Sequence, residues 1–250
     1  MPNYGENFLR IHLLDVLRGA SVLAMIVYHF FWDLGFFGFI KLESMTQGFP
    51  LLIAQCIGGC FIIISGISSK LASSSSDFIM KFLKRLGLLA SICLLITSVT
   101  FFLDNRSFIY FGILHFLAAC SIVGFFLAKI KSSYVLFIFF VFSLLLSMNN
   151  IAFDLPGYYS WLGFNLEVPI TNDFYPLFPW ISFYFFGLWV CKPVTGYMMN
   201  KNENKKIYDE ENFNIVFRGL KFLGRNSLMI YILHQPIFFS LFLIFIRISS

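Results

Sequence analysis

Seven runs of apolar residues divide this chain, near 12–33, 49–70, 81–103, 108–128, 133–150, 176–194 and 225–247. Each is long enough to be read as a helix crossing ~30 Å of hydrocarbon. Composition agrees: 58% of residues are hydrophobic and 12% charged, where a soluble domain carries about 25% charged residues. The expectation is an all-α, polytopic membrane helix bundle of about seven transmembrane helices, a single domain over residues 1–250. The net charge of +5 then reflects topology, because the basic residues fall mostly in short segments between apolar runs. No nucleic-acid partner is expected.

Charge placement predicts orientation. Arg10 precedes the first run; Lys70, Lys81, Lys84 and Arg85 surround the second connection with Asp77; Lys129 and Lys131 follow the fourth run. Between the sixth and seventh runs lie Lys192, Lys201, Lys205, Lys206, Arg218 and Lys221, with Glu203, Asp209, Glu210 and Glu211. These are alternate connections and share one side. The others hold Lys41 with Glu43, Asp104 with Arg106, and Asp154, Glu167 and Asp173. The positive-inside rule puts the N-terminus in the cytoplasm and the C-terminus outside, in a multi-pass protein of the cell (inner) membrane. Arg10 ahead of an apolar run resembles a signal peptide, but the bulky Tyr28-His29-Phe30-Phe31-Trp32 argues for a retained first span.

Two connections are long. Residues 151–175, with Pro156, Gly157, Trp161 and Pro169, read as an external loop that could cap a mouth. Residues about 196–215 read as a polar cytoplasmic loop, and Phe213 to Phe222 as an amphipathic helix lying along the interface. Ser73-Ser74-Ser75-Ser76 reads as a cytoplasmic turn.

The first run carries charges where lipid should be: Asp15, Arg18 and His29, with Asp33 just beyond. A charge in hydrocarbon costs at least a few kcal/mol, so such residues face a partner or a cavity. At 100° per residue, Arg18 and His29 return to within about 20° of one face, and Asp15 and Asp33 fall within roughly 60° of it. One stripe of the helix is polar from end to end. Arg18 and His29 stand roughly 16 Å apart along it, the span of an extended pantetheine arm. Arg18 suits phosphate recognition, since its planar fork binds bidentately and stays charged. Asp15, at i, i+3, pairs with it. His29, with Asp33 one turn away, is a candidate base toward an amine or hydroxyl, or a nucleophile toward a thioester.

His115, read about two turns into the fourth helix, and His234, near the middle of the seventh, are secondary candidates for the same catalytic site; singly, each also fits a structural hydrogen bond between helices. His12 is read as interfacial. Gly224-Arg225-Asn226-Ser227 opens the seventh helix, where Asn226 or Ser227 can cap and Arg225 can hold an anion at the helix start. Gly58-Gly59 and Ser65-Gly66 read as helix-packing positions, Pro176-Leu177-Phe178-Pro179-Trp180 as a bent helix entrance, and Pro236 as a kink. Cys56, Cys60, Cys93, Cys120 and Cys191 form no CxxC or His/Cys ligand set, so no metal site is expected.

Two rival classes stand beside an enzyme. A transporter or proton-coupled permease would use the same charged stripe for flux, although the chain has no internal repeat. A purely structural subunit leaves Asp15, Arg18 and His29 unexplained.

Leu14-Asp15-Val16-Leu17-Arg18-Gly19, then Met25 and His29, resembles the first helix of the heparan-α-glucosaminide N-acetyltransferase-like catalytic family. Phe111-Gly112-Ile113-Leu114-His115-Phe116, Tyr175-Pro176-Leu177-Phe178-Pro179-Trp180, and Gly224-Arg225-Asn226-Ser227-Leu228 through His234-Gln235-Pro236 look like later blocks of its bacterial members, in order from roughly Arg10 to Ile244. The resemblance implies an integral membrane acyltransferase moving an acyl group, commonly acetyl, from cytoplasmic acyl-CoA to a sugar or other small acceptor at the external face. It implies His29 as the catalytic histidine and Arg18 as part of the donor site. Acetyl-CoA is then a co-substrate, with no permanently bound cofactor, and a homo-oligomer is compatible with the reading.

Overall fold

Long apolar stretches dictate helices, even across Pro236, and the regular elements of the computed structural model are helices. It describes residues 12–149, 151–203 and 215–249, with the side chains of 12 and 192–203 excepted. Arg10, the His12 ring, the Lys192 side chain and most of the polar loop at 196–215 lie outside the described residues. In order, the helices are α1 (His12–Phe36), α2 (Glu43–Thr46), α3 (Gly48–Ala72), α4 (Phe78–Leu103), α5 (Ile113–Leu127), α6 (Ser133–Met148), α7 (Leu177–Glu203), α8 (Ile215–Arg225) and α9 (Ser227–Ser249), with a 3-10 turn at Gly157–Leu162. Among the described residues there is no β-strand beyond two isolated bridges.

Among the described residues, four helices, at Leu13–Phe36, α3, α4 and α9, are long and apolar enough to cross a membrane, which makes this a helical membrane protein. The other three expected spans are shorter apolar helices: α5, α6 and the Leu177–Cys191 part of α7. Fifteen residues rise only about 22 Å, less than the hydrocarbon thickness. The fourth run, expected to turn helical near 108, does so only at Ile113. Gly112 is extended at the N-cap, and Phe111 bridges Phe174 instead.

The chain divides into two units, Met1–Phe61 with Lys201–Ser250, and Ile62–Asn200. In the first, two helices pack on α1. α8 meets it at glycines: a Cβ on Gly19 would sit 1.9 Å from the Leu220 carbonyl oxygen, and one on Gly224 only 1.8 Å from that of Asp15. The backbones therefore touch, the close approach that small residues permit between membrane helices. The interfacial amphipathic segment expected at Phe213–Phe222 is thus a helix, displaced slightly and docked on α1. α9 joins α1 through a ladder of aromatic rings, with Phe30 on Phe238 and Phe242, Phe36 and Phe37 on Phe239, and Phe39 on Phe245.

In the second unit, Ile62, Phe116, Cys120, Tyr184 and Leu188 are fully buried. α3 and α7 cross at Gly66 and Gly187, where a Cβ would lie 2.4 Å from the Tyr184 oxygen and 2.3 Å from the Ile63 oxygen. The packing role expected of Gly66 is realised here. α7 opens with a non-helical Phe178 (φ −98°, ψ 134°), the bend expected of the Pro176–Trp180 block. The loop at 151–175 is ordered by its docking on residues 107–113. Thr171 Oγ1 donates to the Phe108 carbonyl, the Asn172 backbone N–H to that of Ser107, and the Ile113 N–H to Asp173 Oδ2. Outside the helices, the Ser107 hydroxyl and then the Arg106 N–H hold the Asp104 carboxyl below its ordinary range.

Candidate functional site

α1 sets the geometry, since its polar stripe needs partners and finds them on α8 and α9. At its start Asp15 is buried. Its Oδ1 accepts from Arg18 Nη1 at 3.2 Å and its Oδ2 from Arg225 Nε at 3.5 Å. One carboxylate thus draws together the two arginines expected to hold donor phosphates; Arg225 lies 210 residues from Asp15 along the chain. It reaches Asp15 as the last residue of α8. Asn226 does not cap α9 with its side chain; its amide donates to the Phe222 carbonyl at 2.9 Å.

Further along the same stripe a second polar group forms between α1 and α9. The rings of His29 and His234 lie 5.0 Å apart. Asp33 is fully buried, and its Oδ1 accepts from Gln235 Nε2 at 3.3 Å. His234, also buried, engages the carbonyls of Tyr231 and Ile230 through Nδ1, at 2.7 and 3.2 Å. Asp33, the candidate for orienting His29, accepts no hydrogen bond from its ring Nδ1; Gln235 donates to that carboxylate instead. Four buried polar atoms of this group have no hydrogen-bond partner among the described residues: His29 Nδ1, Asp33 Oδ2, His234 Nε2 and Gln235 Oε1. A buried unsatisfied group costs about 1–3 kcal/mol, so their gathering in one place between two helices is the strongest mark of a site. An apolar groove of ≈ 650 Å³ is lined by Phe30, Phe39, Phe238, Phe242 and Phe245 with aliphatic residues between them.

His115 belongs to the other unit and sits differently from its expected depth. It is in the first turn of α5, the third residue of the helix. Its Nδ1 accepts from the Gly112 backbone N–H at 3.3 Å, and its Nε2 lies 3.0 Å from Thr97 Oγ1, which donates to the Ile109 carbonyl. Both ring nitrogens are occupied in closing the N-terminus of α5 against α4.

Reading the sequence alone misses Gln235. Its signal is a carboxamide beside a histidine in an otherwise apolar helix.

The chain matches the family model described as heparan-alpha-glucosaminide N-acetyltransferase, catalytic, over residues 10–236. No curated protein and no solved structure matches it.

Proposed function

Since the chain belongs to the heparan-alpha-glucosaminide N-acetyltransferase catalytic family and is therefore a transferase of the acetyltransferase type, we propose that it moves an acyl group, acetyl foremost, from acyl-CoA to a small acceptor such as a sugar amine or hydroxyl. The observation that carries this reading is the arrangement along α1. The Arg18–Asp15–Arg225 group stands at one level and the His29–His234 pair about 16 Å further along the helix. The two guanidiniums take the donor phosphates, with bidentate geometry and permanent charge. The pantetheine arm runs along the polar stripe and brings its thioester to the imidazoles. His29 acts there as base or as nucleophile, with Asp33 and His234 completing the site.

The proposed topology has seven spans in the inner membrane, with α5, α6 and the apolar Leu177–Cys191 part of α7 crossing by local thinning of the bilayer. The N-terminus is cytoplasmic and the C-terminus external, so the donor arrives from the cytoplasm and the acceptor from outside. His115, with both nitrogens engaged, serves as a brace. His115→Ala is expected to cost about 1–2 kcal/mol of stability, seen as a lower thermal midpoint, while transfer by the folded fraction is retained. Loss of transfer at unchanged stability would return His115 to the site.

The test is incubation of membranes with labelled acetyl-CoA. His29→Ala should reduce incorporation by about 100-fold or more, and Arg18→Ala should weaken acetyl-CoA binding about tenfold. Equal incorporation by wild type and His29→Ala refutes the assignment. Substrate flux by a wild type that binds no acyl-CoA would favour the transporter instead.

A further inference from the structure

The bonds already made in the α1–α9 site decide what its unpaired atoms can be. A backbone carbonyl can only accept, and His234 Nδ1 faces two of them, at Tyr231 and Ile230. The neutral ring therefore carries its proton on Nδ1, and Nε2 is a bare lone pair. Gln235 donates to Asp33 through its amide nitrogen, which leaves Oε1 as an acceptor. Asp33 Oδ2 is an acceptor as well. Three of the four unpaired buried atoms are thus acceptors, and the fourth, His29 Nδ1, can be either. Such an inventory suits a ligand that arrives with several N–H or O–H groups.

Within the acyl-transfer reading, on which this inference rests, we propose that His234 is the proton acceptor of the reaction. Asp33 and Gln235 hold the acceptor molecule's other donors against it. The attacking oxygen or nitrogen forms a bond to the thioester carbonyl carbon, and its proton passes to His234 Nε2. The carbon–sulfur bond then breaks. The same proton goes to the departing sulfur, which releases CoA as the thiol and restores the Nδ1–H imidazole. While the ring is doubly protonated, the Tyr231 and Ile230 carbonyls stabilise the cation and keep its plane fixed. The base is then His234 rather than His29, and His29, whose Nδ1 has no such bond among the described residues, positions the thioester.

The experiment compares membranes carrying the full chain with vector-only membranes, with labelled acetyl-CoA as the probe and incorporation into membrane material as the readout. His234→Gln should bind acetyl-CoA within about threefold of wild type and lose transfer by about 100-fold or more, the range expected for removal of a general base. Gln235→Leu leaves the imidazole and its backbone bonds intact but strips Asp33 of its donor, so its thermal midpoint, read beside its transfer rate, separates chemistry from misfolding if His234→Gln also loses donor binding. Its transfer should fall about tenfold at unchanged donor binding. An active wild type with His234→Gln within about tenfold of it, or with Gln235→Leu unaltered, overturns this inference and leaves the transferase reading standing. Wild-type incorporation no higher than vector overturns both.

Discussion

Gly224→Ala is expected to destabilise the protein by about 3 kcal/mol or more, although alanine is the better helix former by ~1 kcal/mol. The reason is contact, not propensity. A Cβ at Gly224 would lie 1.8 Å from the Asp15 carbonyl oxygen, 2.7 Å from its carbon and 3.0 Å from the Gly19 nitrogen. All three are backbone atoms, so no rotamer change can relieve the overlap. α8 would have to retreat from α1 by about 1 Å, and overpacking of this kind costs about 1–3 kcal/mol even where side chains can adjust. Arg225, the next residue, would be carried off Asp15, so acetyl-CoA affinity should fall with stability. Gly219, in the same helix, faces open space: a Cβ there would meet nothing within 4 Å. Gly219→Ala should therefore leave the thermal midpoint unchanged or raise it. Equal midpoints for the two variants in detergent-solubilised full-length protein would show that α1 and α8 do not touch.

Lys70→Met should cost about 3 kcal/mol. Lys70 is buried near the end of α3, and its ammonium donates to the Ala128 carbonyl at 2.6 Å and to the Ile130 carbonyl. These carbonyls follow the last turn of α5, which ends at Leu127, so the cation also meets the negative end of the helix dipole. Methionine matches the stem but strips the donors. Ala128 would keep the Ser73 hydroxyl at 3.0 Å, while Ile130 would lose its lysine partner. Charged hydrogen bonds contribute about 1.5–3 kcal/mol each. Lys70→Gln restores a neutral donor and should recover part of the loss. A methionine variant as stable as wild type, measured by thermal midpoint, would refute the assignment. In the sequence Lys70 is only one of the basic residues that orient the chain; its work as a helix terminator depends on a carbonyl 58 residues away.

Part of the site is legible in the sequence. The stripe on α1 can be read because Asp15, Arg18, His29 and Asp33 share a face by helical period alone, and an apolar helix cannot leave such groups in lipid. The pairing partners cannot be read this way. Helical spacing points Asp33 to His29, its neighbour one turn away, yet it bonds Gln235, 202 residues distant. The spacing i, i+4 makes contact available without making it preferred, and α9 supplies a better-placed donor. His115 stands out because an intramembrane histidine is costly; its place in the first turn, with both nitrogens used, follows from Gly112 being extended beside Asp173. Gly224 reads as part of an anion-binding helix start, and its role in letting two backbones meet needs the opposing helix.

What the sequence determined by itself is local: where apolar runs become helices, which face of the first is polar, and which family the ordered blocks resemble. These follow from run length, period and residue chemistry within single windows. Only the tertiary structure decided that Arg225 closes on Asp15, that Gln235 holds Asp33, and that two backbone carbonyls leave His234 Nε2 bare. The first two depend on how α8 and α9 dock on α1, joining residues 210 and 202 positions apart, where distance and direction between helices choose the bonds; the third is a contact within one turn of α9, chosen by the rotamer His234 takes there.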